Sequence, residues 1–120
     1  MKIGIIVAMS KELGLLKPML ENGTEKVIDG MTFHVGTVGR HDVVVMQCGI
    51  GKVNAAIGTV TLINNFSPDA IINSGVAGGA DKSVNVMDVV VGARVAYNDV
   101  WCGPECAIGL VQGLPLFYES

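Results

Sequence analysis

Charge is scarce in this chain: of 120 residues, 8 are Lys or Arg and 11 are Asp or Glu, a net charge of −3. With a pI near 5.2 it lacks the clustered cations that a phosphate backbone demands, which excludes a nucleic-acid surface. Cysteine is almost missing. Three residues, an odd number, do not make a disulfide framework and suit a reducing compartment, so a cytoplasmic setting is expected. No apolar run approaches the ~20 residues of a membrane-spanning helix. The start Met1-Lys2-Ile3-Gly4 enters a strand directly with no small-residue cleavage site after it, so no signal peptide is expected. Internal repeats and low-complexity linkers are also lacking, which leaves a single α/β unit.

Metal and nucleotide motifs are missing too. Cys102 and Cys106 enclose Gly103-Pro104-Glu105, whereas zinc sites use closer pairs and need two further ligands. The histidines, His34 and His41, lie far back in the chain, and nothing local activates either cysteine. No metal site and no Cys–His pair is expected, and His34, within a strand, reads as a surface residue. A P-loop fails because Met46 stands where its first Gly belongs and Val53 follows Gly51-Lys52. The Rossmann pattern started by Gly49 and Gly51 fails at Asn54.

What the chain has is apolar sequence: half of it is hydrophobic, with a mean hydropathy of +0.52. That is high for one domain of this size and fits a surface covered by a partner or by further chain. Three apolar runs each stop at a small-residue loop. They are Gly4-Ile5-Ile6-Val7-Ala8-Met9-Ser10-Lys11-Glu12, Val43-Val44-Val45-Met46-Gln47-Cys48-Gly49-Ile50-Gly51-Lys52, and Ala70-Ile71-Ile72-Asn73-Ser74-Gly75-Val76-Ala77-Gly78-Gly79. Continuous β-branched runs mark strands buried on both faces, in sheets covered by helices. Ligands of such sheets bind at the carboxyl ends of the strands.

Along the chain, residues 2–8 read as a buried strand, and Ser10 reads as the N-cap of a helix with Leu13, Leu16 and Leu20 on one face, kinked or ended at Pro18. Glu21-Asn22-Gly23 reads as a stop. Strands at 24–29 and 31–38 flank a tight Asp29-Gly30 turn, and Gly39-Arg40-His41 leads into a strand at 42–48. A helix from Lys52 to Phe66 places Val53, Ile57, Val60 and Asn64 on one stripe, Ala56 and Ile63 beside it, and small Ala55, Ala56 and Gly58 for close approach to a sheet. Ser67-Pro68-Asp69 ends that helix before a strand at 70–74. Residues 86–97 read as another strand, broken at Gly92, followed by a Gly/Pro-rich loop to about Pro115 and an apolar ending at Leu116-Phe117-Tyr118.

Glu12 lies in the first turn of a helix that leaves a strand tip. An acid there favours the helix dipole by about 0.3–1 kcal/mol when exposed, which alone accounts for it. The alternative is a carboxylate that orients and deprotonates a water, which requires an ionised acid facing a cleft. Met9 and Ile50 end apolar runs, and core packing accounts for each. Ser74-Gly75-Val76-Ala77-Gly78-Gly79 is either a turn whose glycines supply positive φ or a backbone that a ligand approaches closely. Trp101 is a core plug or an interface anchor.

Taken together, Ile-Ile-Val-Ala-Met-x-Lys-Glu, Cys-Gly-Ile-Gly-Lys-Val-Asn-Ala-Ala and Pro-Asp-x-Ile-Ile-Asn-Ser-Gly-Val-Ala-Gly-Gly resemble the nucleoside phosphorylase superfamily. Within it they are most similar to the 5′-methylthioadenosine/S-adenosylhomocysteine nucleosidases. Asp88-Val89-Val90-Val91, Ala93-Arg94 and Tyr97-Asn98-Asp99 extend the resemblance, which runs from Met1 to about Pro115. It implies an α/β three-layer sandwich with a mixed central sheet, of which residues 1–120 would be the amino-terminal part of a single domain. It also implies hydrolysis of an N-glycosidic bond to adenine and a 5-thioribose, without metal or organic cofactor.

By this resemblance Glu12 activates the attacking water, Met9 lies against the ribose, and Ile50 contacts the 5′-alkylthio group. Val76, Ala77 and Gly78 form the loop beneath ribose and water. The segment from Val100 to Pro115, with Trp101 and Cys102, would be inserted by a neighbouring subunit to close the 5′ pocket, making a homodimer. Phosphorylases carry a cationic glycine-rich loop where this chain has Ser10-Lys11-Glu12, so water is the expected nucleophile. Val76 stands where many relatives have Ser, and Asn98 replaces the His of a Tyr-His-Asp run. The family's domain is roughly twice as long, and its Ser-Gly-Asp acid, which protonates adenine, has no counterpart here. The chain alone is therefore expected to be inactive. Other readings are a different nucleoside hydrolase or phosphorylase of the superfamily, acting on futalosine or a purine nucleoside, and a non-catalytic fragment that binds nucleoside weakly or only dimerises.

Overall fold

A computed structural model describes residues 1–120. The contacts divide them into two units, Met1–Ala77 and Gly78–Ser120. No helix is long and apolar enough to cross a membrane.

The first unit is built on a five-stranded sheet. Its elements are β1 (Lys2–Val7), α1 (Ser10–Leu16) with a 3-10 turn at Lys17–Met19, β2 (Glu21–Ile28), β3 (Met31–Val38), β4 (His41–Gln47), α2 (Lys52–Phe66) and β5 (Ala70–Asn73). The strand order is β2-β3-β4-β1-β5. β4, β1 and β5 run parallel, with Ile5 opposite Val45 on one side and Ile72 on the other. β2, β3 and β4 form an antiparallel meander. The sheet is mixed, as the sequence implies. The β2–β3 turn takes φ values of 50° at Asp29 and 77° at Gly30, the double positive φ that a two-residue hairpin loop needs.

Alternation along the strands separates two faces. One carries Gly4, Ile6, Val44, Met46 and Phe33 and packs on Leu62 and Phe66 of α2. The Phe33 and Phe66 rings lie 5.0 Å apart. The helix approaches closely because two glycines leave room. A Cβ on Gly4 would come within 2.5 Å of Leu62, and one on Gly58 within 2.8 Å of Cys48 and 2.9 Å of Met46. The other face carries Ile3, Ile5, Val43, Val45 and Ile72, and with Leu16, Met19 and Leu20 it lines an apolar groove of about 170 Å³. Helix, sheet and helix make the three layers expected.

Several expectations need correction. The N-cap of α1 is Met9, in extended conformation, and Ser10 is already the first helical residue. The stripe of α2 that faces the sheet is Gly58, Leu62 and Phe66; Val53, Ile57, Val60 and Ile63 are exposed, and Ala56 and Asn64 with them. The helix is apolar on two sides, and the one with the glycine fits against Met46. β2 begins at Glu21, not after it. Asn22, at φ 54°, sits in a bulge where the β2–β3 register shifts between Glu21 and Thr24, so the residues read as a stop form an irregularity inside the strand. His34 is not at the surface but buried, at 7% exposure, and Oε1 of Glu25, its ladder partner on β2, lies 3.3 Å from its Nδ1.

At the end of α2, Ser67 takes the left-handed conformation at φ 47° and its N–H bonds the Ile63 carbonyl at 3.0 Å. Lys2 holds this end: its ammonium donates to the Phe66 carbonyl at 2.9 Å, and its backbone N–H donates to Asp69 Oδ2 at 2.7 Å. A cation on the last helical carbonyls is favourable.

In the second unit, regular structure is limited to β6 (Arg94–Val95) paired antiparallel with β7 (Tyr118–Glu119). Tyr97 and Tyr118 meet edge to face at 6.3 Å, and Arg94 stacks over Phe117 at 4.6 Å. The expected strand at 86–97 is thus reduced to two residues. Val86, Val89, Val90 and Val91 are exposed. A β-branched run becomes a strand only when a ladder partner satisfies its backbone, and Arg94 and Val95 are the residues of this run that have one.

Candidate functional site

The carboxyl ends of β1, β4 and β5 lie side by side because these strands are parallel neighbours. The three junctions read from the sequence therefore share one edge of the sheet. Backbone bonds tie them there: Cys48 N donates to the Val7 carbonyl at 2.9 Å, and Ser74 N donates to the Ile6 carbonyl at 3.0 Å. Side chains add to this. The Cys48 thiol reaches the Val7 carbonyl at 3.3 Å, and Ser10 Oγ donates to Gln47 Oε1 at 3.1 Å.

Glu12 occupies the centre of this edge. Its Oε2 accepts from the backbone N–H groups of Ala8 and Met9, each at 2.9 Å. The carboxylate thus reaches back over the start of α1 and satisfies donors left open at a helix N-terminus. Oε1 points the other way, toward the loop after β5. A Cβ on Gly75 would stand 3.1 Å from it. Gly75 is absent from the positive-φ residues, as are Gly78 and Gly79, so the loop's glycines do not serve a left-handed turn. Gly75 is small because Glu12 stands beside it. The helix-end role and a chemical role for Glu12 are compatible, since different oxygens serve them.

Met9 is half-buried and gives Glu12 its N–H. Ile50 is 73% exposed, between Gly49 at φ 92° and Gly51 at φ 101°. Val76 is 83% exposed, and Ala77 is also open to solvent. The apolar groove on the sheet face includes none of these residues; the edge, not the cavity, gathers the chemistry.

A model of the phosphorylase superfamily matches residues 2–116. The chain belongs to the phosphorylase superfamily. Among curated relatives of this superfamily member, the 5′-methylthioadenosine/S-adenosylhomocysteine nucleosidase of Halalkalibacterium halodurans is 48% identical over 98% of this chain and 52% of the relative. That of Listeria welshimeri is 45% identical over 100% and 52%. Among solved structures, the Streptococcus pneumoniae MTA/SAH nucleosidase in complex with 8-aminoadenine superposes with a TM-score of 0.93 at 43% identity, over 100% of this chain and 54% of that one. The Colwellia psychrerythraea MTA/SAH nucleosidase in complex with adenine gives 0.94 at 42% identity, over 99% and 50%. The chain spans about half the length (52%) of the curated relatives it matches.

The other candidates of this phosphorylase-superfamily chain lie in the second unit. Gly78 opens it and is exposed; Trp101 is 67% exposed, Cys102 and Pro115 are exposed, and Val100 is half-buried. Trp101 is therefore not a core plug. Its cysteines are free thiols. Gly75, beside Glu12, joins the candidate residues. Its sequence signal is a glycine just after the strand end, but its neighbour Glu12 is distant in sequence.

Proposed function

We propose that this chain supplies the ribose-and-water side of a site that hydrolyses the N-glycosidic bond of 5′-methylthioadenosine and S-adenosylhomocysteine. The carrying observation is the convergence of Glu12 on the Gly75 loop. Two amide donors hold one carboxylate oxygen, leaving the other aimed at the loop on which a ribose and its water would rest.

In this reading Glu12 takes a proton from water as the water oxygen bonds to C1′ of the ribose. The C1′–N bond breaks through an oxocarbenium-like transition state, and its electron pair leaves with adenine, which takes a proton from an acid outside these residues, while Glu12 gives up the water proton to solvent. The products are adenine and a 5-thioribose. Met9 lies against the ribose, Val76, Ala77 and Gly78 support it, and Ile50 contacts the 5′-alkylthio group. Every step is proton transfer, C–O formation or C–N cleavage, so none calls for a metal or organic cofactor. The Glu12 carboxylate, placed at this tip, disfavours a phosphate nucleophile beside it by like-charge repulsion. The similarity to named nucleosidases supports the substrate class. The segment of Val100, Trp101, Cys102 and Pro115, exposed except at Val100, is assigned to a homodimer contact that closes the partner's 5′ pocket, and the free thiols suit a cytoplasmic enzyme.

The test is adenine release from 5′-methylthioadenosine, measured for the chain alone and mixed with the carboxyl-terminal half of the Halalkalibacterium halodurans nucleosidase. No release alone, and phosphate-independent release from the mixture, is expected. Release that requires phosphate and yields a ribose 1-phosphate would overturn hydrolysis, and turnover by the isolated chain would overturn the division of the site. Light scattering of the active mixture checks the dimer.

A further inference from the structure

Ile50 is held by one side chain from the helix behind it. Gly49 and Gly51 both take positive φ, 92° and 101°, so Ile50 sits between two residues whose backbones have wide freedom. Asn54, in the first turn of α2, reaches back and donates from Nδ2 to the Ile50 carbonyl at 2.8 Å. The same side chain lies across Gly49: a Cβ there would meet Asn54 Nδ2 at 3.3 Å, Cγ at 3.6 Å and Cβ at 3.7 Å. One amide thus bonds the residue on the loop's crest and packs on the residue before it. The Ile50 side chain meanwhile projects into solvent, 73% exposed, where packing does little to fix it.

We infer that Asn54 is a positioning residue for specificity at the 5′ position, setting where Ile50 stands as the apolar wall that receives the 5′ substituent. This rests on the reading of the site given under Proposed function. Asn54 itself touches the loop, not the reacting atoms. Its amide restricts a loop that two glycines would otherwise leave mobile, and the contact it steadies is apolar. Losing it removes preference for an alkylthio group over a hydroxyl while leaving the water side, built on Glu12 and Gly75, unchanged.

The experiment compares kcat/KM for 5′-methylthioadenosine and adenosine in the chain complemented with the carboxyl-terminal half of the relative, for the unsubstituted chain, Asn54→Ala and Asn54→Asp. Asp keeps the shape but cannot donate to the carbonyl. Both variants are expected to lower the methylthioadenosine-to-adenosine ratio about tenfold, the scale of one apolar contact in a specificity pocket. The loss should fall on KM for methylthioadenosine, with kcat for adenosine retained. A merely structural role would depress both substrates equally and leave the ratio unmoved. An unchanged ratio in an active complex overturns the role of Asn54 and leaves the proposed function standing. An unsubstituted complex that releases adenine from neither nucleoside overturns the proposed function, and the role of Asn54 with it.

Discussion

Glu12 Oε1 stands where a Cβ on Gly75 would approach to 3.1 Å, while Glu12 Oε2 is held by the amides of Ala8 and Met9. The first contact joins the tip of β1 to the tip of β5; the second closes the start of α1. One carboxylate therefore links a helix end to a glycine loop, and the position of each oxygen is set by a different part of the fold.

Gly75→Ala tests the first contact. Gly75 does not take positive φ, so its backbone accepts alanine and the added methyl acts on Glu12 alone. The methyl pushes the carboxylate or the loop by a few tenths of an ångström. Adenine release by the complemented chain should fall by up to about tenfold, less than the roughly hundredfold that a full 1 Å misplacement costs. The urea midpoint of the chain should move little.

Glu12 itself separates two roles. Glu12→Gln keeps an oxygen that accepts from Ala8 and Met9, but it cannot take a proton from water. Glu12→Ala removes both functions. Adenine release should vanish in each variant. Urea unfolding should show a loss of about 1 kcal/mol, the usual worth of a helix cap, for the alanine variant and much less for the glutamine. Equal stability losses in both would overturn the capping role.

The two sides of α2 should respond differently to truncation. Leu62 is fully buried against the sheet, whereas Ile57 is 53% exposed. Leu62→Ala should destabilise the chain by about 2–5 kcal/mol. Ile57→Ala should stay within about 0.5 kcal/mol in the isolated chain. Chemical denaturation of the two variants decides which stripe is core.

Acid should weaken the link between the 3-10 turn and the β2–β3 hairpin. The Lys17 ammonium, 2.7 Å from Glu25 Oε1, holds the Glu25 carboxyl below its usual value, with a smaller pull from His34. A depressed carboxyl binds its proton less readily folded than unfolded. The stability it adds is therefore complete above the usual glutamate range and is lost as pH falls through that range to the lowered folded value. The stability difference between the unsubstituted chain and Lys17→Met should be greatest near neutral pH and vanish in acid. Because the pair is exposed, salt should shrink it. A difference that persists in acid would mean that Lys17 acts by packing.

Much of the fold was legible because local chemistry decides it. The bounds of α2 follow from Gly51 before it and Ser67-Pro68 after it, and the β2–β3 turn from Asp29-Gly30. The stripe of α2 that meets the sheet was not legible, since apolar residues lie on both of its sides. The choice falls to Gly58, and its reason, the closeness of Met46 and Cys48, belongs to another element. Residues 86–91 have strand composition, but a ladder requires a partner and composition does not supply one. His34 has the pattern of a surface residue and is buried in the sheet between its ladder neighbours Glu25 on β2 and Val45 on β4, a placement that strand pairing decides.

The same division holds at the candidate site. From the sequence alone came the three apolar runs, the small-residue loops that end them, and Glu12 as the acid at one tip, because hydrophobic period and loop chemistry are written in neighbouring residues. Only the tertiary structure decided that Oε1 of Glu12 meets Gly75, that this glycine serves space rather than positive φ, and that Asn54 holds Ile50. The first two depend on the parallel register that sets β1 beside β5. The last depends on where a side-chain amide on α2 turns back over the loop before it. Such relations exist only once the chain has folded.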